Sequence, residues 1–234
     1  MPDTLLVDGS WAALSSTSYV TYRRHLLDAH LAWAAPLMRG RVVDLGGKRL
    51  RKRGSFRPPS EGVTRWIDVN VDPITAPSVF GSVINVPLRN EIADCVICTE
   101  VLEHLAEPER CVAEAHRLLK PGGHMIGSVP FMYPVHGDPQ DFRRYTADGL
   151  MRLLGSFATV DVRPMGGYFG SLGLFVELGV QELRGAALWH RFVCRMLRLL
   201  ARLFTWIDLR RARSAAGIFL PAFANGFFFV ARKS

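Results

Sequence analysis

No apolar run in this chain of 234 residues reaches the ~18 residues that a membrane-spanning helix needs. The nearest approach, 167–180, is interrupted by Glu177. The opening MPDTLLVDGSW lacks the basic start and long apolar stretch of a secretory signal, so a cytoplasmic location is expected. Cysteine is scarce, with Cys95, Cys98, Cys111 and Cys194 only. The CxxC at 95–98 lies in a run that reads as a strand, where residues three apart point to opposite faces. No second ligand pair accompanies it, so no metal centre is expected, and disulfides do not suit a cytosolic chain. Repeats, low-complexity tracts and interdomain linkers are missing as well. The expectation is therefore one domain over 1–234, with a leading helical segment at 1–39 and a helical insertion at 170–213. Acidic residues are scarce in two stretches. Lys48–Arg57 carries six cations and no acid, and Arg191–Arg213 carries seven arginines against Asp208 alone; the net charge is +8.

What is present is enough apolar residue for a full core, at 49% hydrophobic and 21% charged. Four apolar, β-branched runs end in small or acidic residues: RVVDLGG (41–47), WIDVNVD (66–72), CVICTEVLEHL (95–105) and LLKPGGHMIGSVPF (118–131). A helical pattern at 109–119, closed by the PGG of 121–123, separates the last two. SVFGSV supplies a short third strand, Thr146 caps a later helix, and ATVDVRPM and GFFFVARK read as the sixth and seventh strands. Residues 17–38 read as a helix. Alternating units of this kind make a parallel sheet with a ligand crevice at the carboxyl ends of its strands.

The order of these segments resembles the class I S-adenosylmethionine (SAM) dependent methyltransferases, in particular the type 11 group, over about residues 40 to 165 and the last strand. The resemblance implies an α/β fold: a doubly wound, seven-stranded, mostly parallel, Rossmann-like sheet with a helical insertion before the last strand. It also implies SAM as cofactor. The GxGxxG spacing that would favour NAD is absent. The first turn of the family corresponds to Asp44, Gly46 and Gly47, with Lys48 standing where a second family glycine is usual. The ribose carboxylate position falls on Asn70 by register, and Asp72 is the stronger acceptor by chemistry. Ser82 and Val83 follow the third strand, where the family often has Gly-Asp. Thr99, Glu100 and Val101 follow the fourth, where the methionine end of the cofactor lies.

The loop YPVHGDPQDFRRY (133–145) follows the fifth strand and is similar to a loop of a subgroup linked to surface-glycan and lipopolysaccharide pathways. Transfer to a hydroxyl calls for a base, and His136 is the natural candidate near neutral pH, with Asp138 or Asp141 to orient it or act instead. In the other reading Asp141 and Arg144 form a structural ion pair and His136 caps the loop. His104 matches a family position that is usually structural. Lys48, Arg51, Tyr133, Arg144 and Tyr145 are the acceptor-side candidates, and the basic loop suits an anionic acceptor.

Arg191, Arg195, Arg198 and Arg202 share one helical face. Such a helix reads as a peripheral membrane contact. The favoured alternative is a lid that packs its apolar side on the sheet and leaves its arginines in water. The expected activity is O-methylation of a glycan or other small polar acceptor. A weakly active or inactive scaffold and an RNA or lipid/quinone methyltransferase stand as alternatives. Nucleic acid is disfavoured, because Phe56 alone interleaves the cations of the basic loop.

Overall fold

The β-branched runs of the sequence form the middle of one sheet, where both faces are covered. The computed structural model describes residues 21–49, 54–137, 140–183, 188–212 and 221–234. Seven strands lie in it: β1 (Gly40–Leu45), β2 (Val63–Asn70), β3 (Val79–Phe80), β4 (Ala93–Thr99), β5 (Leu119–Pro130), β6 (Thr159–Met165) and β7 (Gly226–Arg232). Their order is β3-β2-β1-β4-β5-β7-β6. The first five pair in parallel, and β7 runs antiparallel to both β5 and β6. The order reverses on either side of β1, between β2 and β4, which is where an open α/β sheet forms its ligand crevice.

Helices cover both faces. On one, α1 (Tyr22–Ala34) lays Tyr22, Leu26, Leu27 and Leu31 against Val42, Cys95, Ile97, Ile126 and Phe228. Its entry is set by Thr21, whose hydroxyl accepts from the Arg24 amide at 3.3 Å. On the other, α2 (Pro108–Leu118) buries Cys111, Val112, Ala115 and Leu118, one stripe at helical spacing. Pro108 at its start and His116 and Arg117 in its last turn suit the helix ends. α3 (Ala147–Leu153) adds Leu150 to the same cluster, with Thr146 as its cap. Cys95 and Cys98 fall in different clusters, as alternation along a strand requires.

The fifth strand starts earlier than the sequence suggests. Leu119 already pairs with Ala93, and the next pair is Cys95 with His124. The four residues between bulge out, and Gly122 takes φ +75°. The PGG signal therefore marks a bulge within β5.

Between β6 and β7 the chain makes a helical hairpin, α4 (Tyr168–Glu182) and α5 (Leu188–Ala212). The two helices meet through small residues. A Cβ on Gly173 would stand 2.9 Å from the Ala201 carbonyl oxygen, and one on Gly170 would stand 2.6 Å from the Asp208 carboxylate. Asp208 is buried and accepts from the Tyr22 hydroxyl (3.0 Å) and the Gly167 amide (2.8 Å), so it ties α5 to α1 and to the start of α4. This corrects the lid reading. The side of α5 that packs inward is Cys194, Ala201, Thr205 and Asp208, and it packs on α4. The large apolar residues face outward: Trp189 is 69% and Phe192 65% exposed, and Met196, Leu199, Leu203 and Trp206 continue the row.

Candidate active site

The carboxyl ends of β1, β2 and β4 converge on one turn. Gly46 leaves β1 at φ +80°, a conformation that costs an L side chain ~1–2 kcal/mol. A Cβ there would also stand 2.5 Å from Val101 Cγ2. A Cβ on Gly47 would lie 2.7 Å from Asp44 Oδ2. The turn can therefore be this tight only with glycine at both places. Asn70 holds it from β2: its Nδ2 donates to the Gly46 and Gly47 carbonyls at 3.0 Å each, and its Oδ1 accepts from the Asp72 amide at 2.9 Å. The Asn70 side chain is thus committed to the backbone. Asp72 accepts from the Ile74 amide through Oδ1, and among the described residues its Oδ2 has no partner. Of the two strand-end candidates, Asp72 is the one with an oxygen to offer a ribose hydroxyl.

At the end of β4, Glu100 sits at φ +56°, unusual for a residue with a side chain and of the kind that gathers at ligand sites. Its amide donates to the Ser128 carbonyl (2.9 Å), its Oε1 accepts from the Ser128 hydroxyl (2.7 Å), and its Oε2 meets the buried Arg23 guanidinium of α1. Arg23 in turn lies over the Tyr133 ring at 4.7 Å. Ser82 keeps close to its own turn, its hydroxyl 3.4 Å from the Ile84 amide, and Val83 is buried.

The loop after β5 is clasped by Arg144, which donates to both Asp141 oxygens (2.5 and 2.7 Å) and to the carbonyls of Tyr133 and Pro134. Asp141 also accepts from the His136 amide at 2.9 Å. These donors hold its carboxyl well below the usual carboxylate range, with Arg144 the largest cause. Asp141 therefore positions the loop, and His136 takes its shape from it. Burial pushes the His136 imidazole below its ordinary value, so the ring is uncharged near neutral pH. The loop is stitched to the segment after β4 by Phe142 N to Glu103 O (2.8 Å) and Arg143 Nη2 to Ala106 O (2.8 Å). Tyr145 turns away from the acceptor side: it is buried in the core, with its hydroxyl 3.5 Å from the Leu102 carbonyl. Lys48 begins the basic loop beside Gly47. Arg51 and Asp138 lie outside the described residues.

Three participants escape the sequence reading: Arg23, Ser128 and Glu103. Glu103 is fully buried, and neither of its carboxyl oxygens accepts a hydrogen bond from another described residue. Burial, with the Glu100 carboxylate adding to it, pushes its carboxyl up to about 9. The apolar spacing of EVLEHL hides a carboxylate aimed inward, and only the depth of the turn at 102–104 shows it.

A family model described as a methyltransferase domain matches residues 65–127, the segment from β2 into β5. A solved SAM-dependent methyltransferase from Archaeoglobus fulgidus superposes with a TM-score of 0.54, at 16% identity over 90% of this chain and 94% of that one. The fold is that of SAM-dependent methyltransferases. The methyltransferase fold also carries other names. The (4+2)-cyclase SpnF matches with a TM-score of 0.57, at 18% identity over 94% of this chain and 84% of that chain. The 1,6-didemethyltoxoflavin-N1-methyltransferase of Burkholderia thailandensis, solved with S-adenosylhomocysteine, matches at 0.51, with 17% identity over 97% of this chain and 81% of that chain. A further relative is an uncharacterized 37.1 kDa protein in transposon TN4556 of Streptomyces fradiae, 31% identical over 79 residues, which are 31% of this chain and 23% of that protein. The SAM cofactor that goes with the methyltransferase fold suits the residues present, through the glycine turn and the open Asp72 oxygen.

Proposed function

We propose that the protein transfers a methyl group from SAM to a hydroxyl of a glycan or another small polar acceptor. The observation that carries this reading is the junction of Gly46, Gly47 and Asn70 with Asp72, Glu100 and Val101 at the switch point of the sheet. Bound there, SAM supplies an electrophilic methyl on a sulfonium. Asp72 accepts from the ribose hydroxyls, and Thr99, Glu100 and Val101 line the methionine end. Across the crevice the loop at 133–145 positions the acceptor. As the acceptor oxygen bonds to the methyl carbon and the sulfur–carbon bond breaks, the hydroxyl proton passes to His136, which Asp141 orients. Alignment and exclusion of water supply much of the rate. Lys48 and Tyr133, with Arg51 on sequence grounds alone, are the residues proposed to meet an anionic group of the acceptor.

Calorimetry with SAM and S-adenosylhomocysteine, followed by transfer of labelled methyl to a panel of glycan and small-molecule acceptors, tests this. Micromolar binding lost in Asp44→Ala and Asp72→Ala, with label in an ether product, is expected. A well-folded protein that ignores both ligands at millimolar concentration would leave a scaffold.

We also propose that α5 rests on an anionic lipid surface. Trp189, Phe192, Met196, Leu199, Leu203 and Trp206 recur at alternating spacings of three and four and stand exposed, while Arg191, Arg195, Arg198 and Arg202 run along one flank. An apolar stripe edged by arginines complements acyl chains and phosphate headgroups. No helix among the described residues is long and apolar enough to cross a membrane. Co-flotation with vesicles containing phosphatidylglycerol, lost in the Arg195→Glu, Arg198→Glu double variant, is the expected result. Dimerisation without flotation would assign the stripe to a second copy.

A further inference from the structure

Glu103, His104 and His136 bring one carboxylate oxygen and one ring nitrogen from each histidine within 4.8 Å of one another. The two histidines come from different segments, the turn after β4 and the loop after β5. Each has Nδ1 against oxygen. His104 Nδ1 lies 2.5 Å from the Gln140 carbonyl. His136 Nδ1 lies 3.3 Å from both the Pro134 carbonyl and Asp141 Oδ2. An oxygen acceptor at Nδ1 keeps the proton there and leaves the lone pair on Nε2. That is how metal-bound histidines are oriented, by a carbonyl or carboxylate behind the ring. The third member, Glu103, is buried completely, with both oxygens lacking a hydrogen-bond partner among the described residues, and its Oε1 lies 3.7 Å from His104 Nε2. A buried carboxylate without donors is costly, so Glu103 keeps its proton until a cation takes the proton's place.

We propose that Glu103, His104 and His136 hold one divalent transition-metal ion, with an open position toward the acceptor. Two imidazoles and one carboxylate match zinc, and three protein ligands with a free fourth place are the pattern of reactive zinc sites. Magnesium and calcium prefer all-oxygen ligands and do not suit it. Bonds of ~2.0–2.1 Å need tetrahedral donors about 3.3–3.4 Å apart. The Glu103–His104 pair is already close to this. The remaining approach falls to His136, whose side chain is one-third exposed on the loop. The surrounding charges also allow an ion: the carboxylates of Glu100, Glu103 and Asp141 face the guanidiniums of Arg23 and Arg144.

Binding of the ion does not rest on the methyl-transfer reading; its role does. A hydroxyl in the open position loses its proton to water more readily, so the ion takes over the work given above to His136. The oxygen gains the methyl, S-adenosylhomocysteine leaves, and one proton is released.

The test uses the full chain, stripped with dipicolinate and titrated with zinc by calorimetry and with cobalt(II) by visible absorption. One ion per chain is expected, with cobalt bands of a four- or five-coordinate site. Glu103→Gln, His104→Ala and His136→Ala should each weaken binding by about 100-fold or more. His136→Ala, on a partly exposed loop, keeps the test valid if a buried variant fails to fold. A folded wild-type protein that takes up no zinc at about 100 μM, or variants that bind as it does, would overturn the proposal. SAM titrations of the same samples separate the two readings: zinc without SAM sinks methyl transfer alone, and SAM without zinc sinks the ion alone.

Discussion

The two sides of the crevice are built by different means. On the cofactor side, backbone makes the shape: Gly46 and Gly47 turn where no side chain fits, and Asn70 spends its whole amide on their carbonyls and on the Asp72 amide. On the side proposed for the acceptor, side chains make the shape: Arg144 and Asp141 clasp an irregular loop, and Glu103, His104 and His136 stand close together beside it. A backbone-built half fits one ligand and tolerates little change. A half built from side chains can be altered residue by residue, as the proposed role in distinguishing acceptors would require.

The largest break in this contrast is expected at Gly46. Gly46→Ala adds the left-handed penalty to a clash with Val101, and SAM affinity should fall more than about 100-fold by calorimetry while the far-UV spectrum is kept. Asn70→Ala comes next. It strands two carbonyls and an amide, and chemical denaturation should show a loss of about 2–3 kcal/mol together with weaker SAM binding. Asp141→Asn should act on the other side only. Turnover should fall about 10-fold or more as the Arg144 clasp loosens, with SAM affinity within about twofold of the parent. A matching loss of SAM affinity would mean that the two halves are coupled.

The smallest effect lies away from both sides. Half-burial raises the Glu177 carboxyl of α4 to about 6, against a lesser pull from Arg202 and Arg198. A raised carboxyl favours the folded state below its ordinary value near 4.5, and that contribution is lost as pH rises through 6. Because the group is partly solvated, the melting temperature should drop only about 1–2 °C between pH 4.5 and 6.5 on this account. Glu177→Gln should remove the drop.

Much of the fold was legible because central parallel strands must be apolar on both faces, and RVVDLGG, CVICTE and HMIGSV could be little else. Strand ends and the Thr146 cap followed from the same patterns. The orientation of α5 was not legible. Hydrophobic pattern points bulky residues inward, whereas here Gly170 and Gly173 let Ala201, Thr205 and Asp208 of α5 come close. In the site, Asn70 stood at the right position for a cofactor contact, but sequence could not show its amide already engaged. Tyr145 looked like an acceptor contact because its neighbours are polar, yet it points into the core. The depth of Glu103 depends on how the turn at 102–104 sits beneath a loop from another strand, which no local spacing encodes.

The place of β7 bears on the order in which the molecule can assemble. It lies between β5 and β6, although it comes after β6, α4 and α5 in the chain. Until Gly226–Arg232 arrives, β5 has an unpaired edge and β6 has no neighbour in the sheet. From the completion of β5 at Pro130 until β7 is made, the growing chain therefore carries a half-closed sheet with a bare strand rim. Closure then depends on contacts far apart in sequence, which makes it a slow step, and one that helper proteins in the cell are suited to guard.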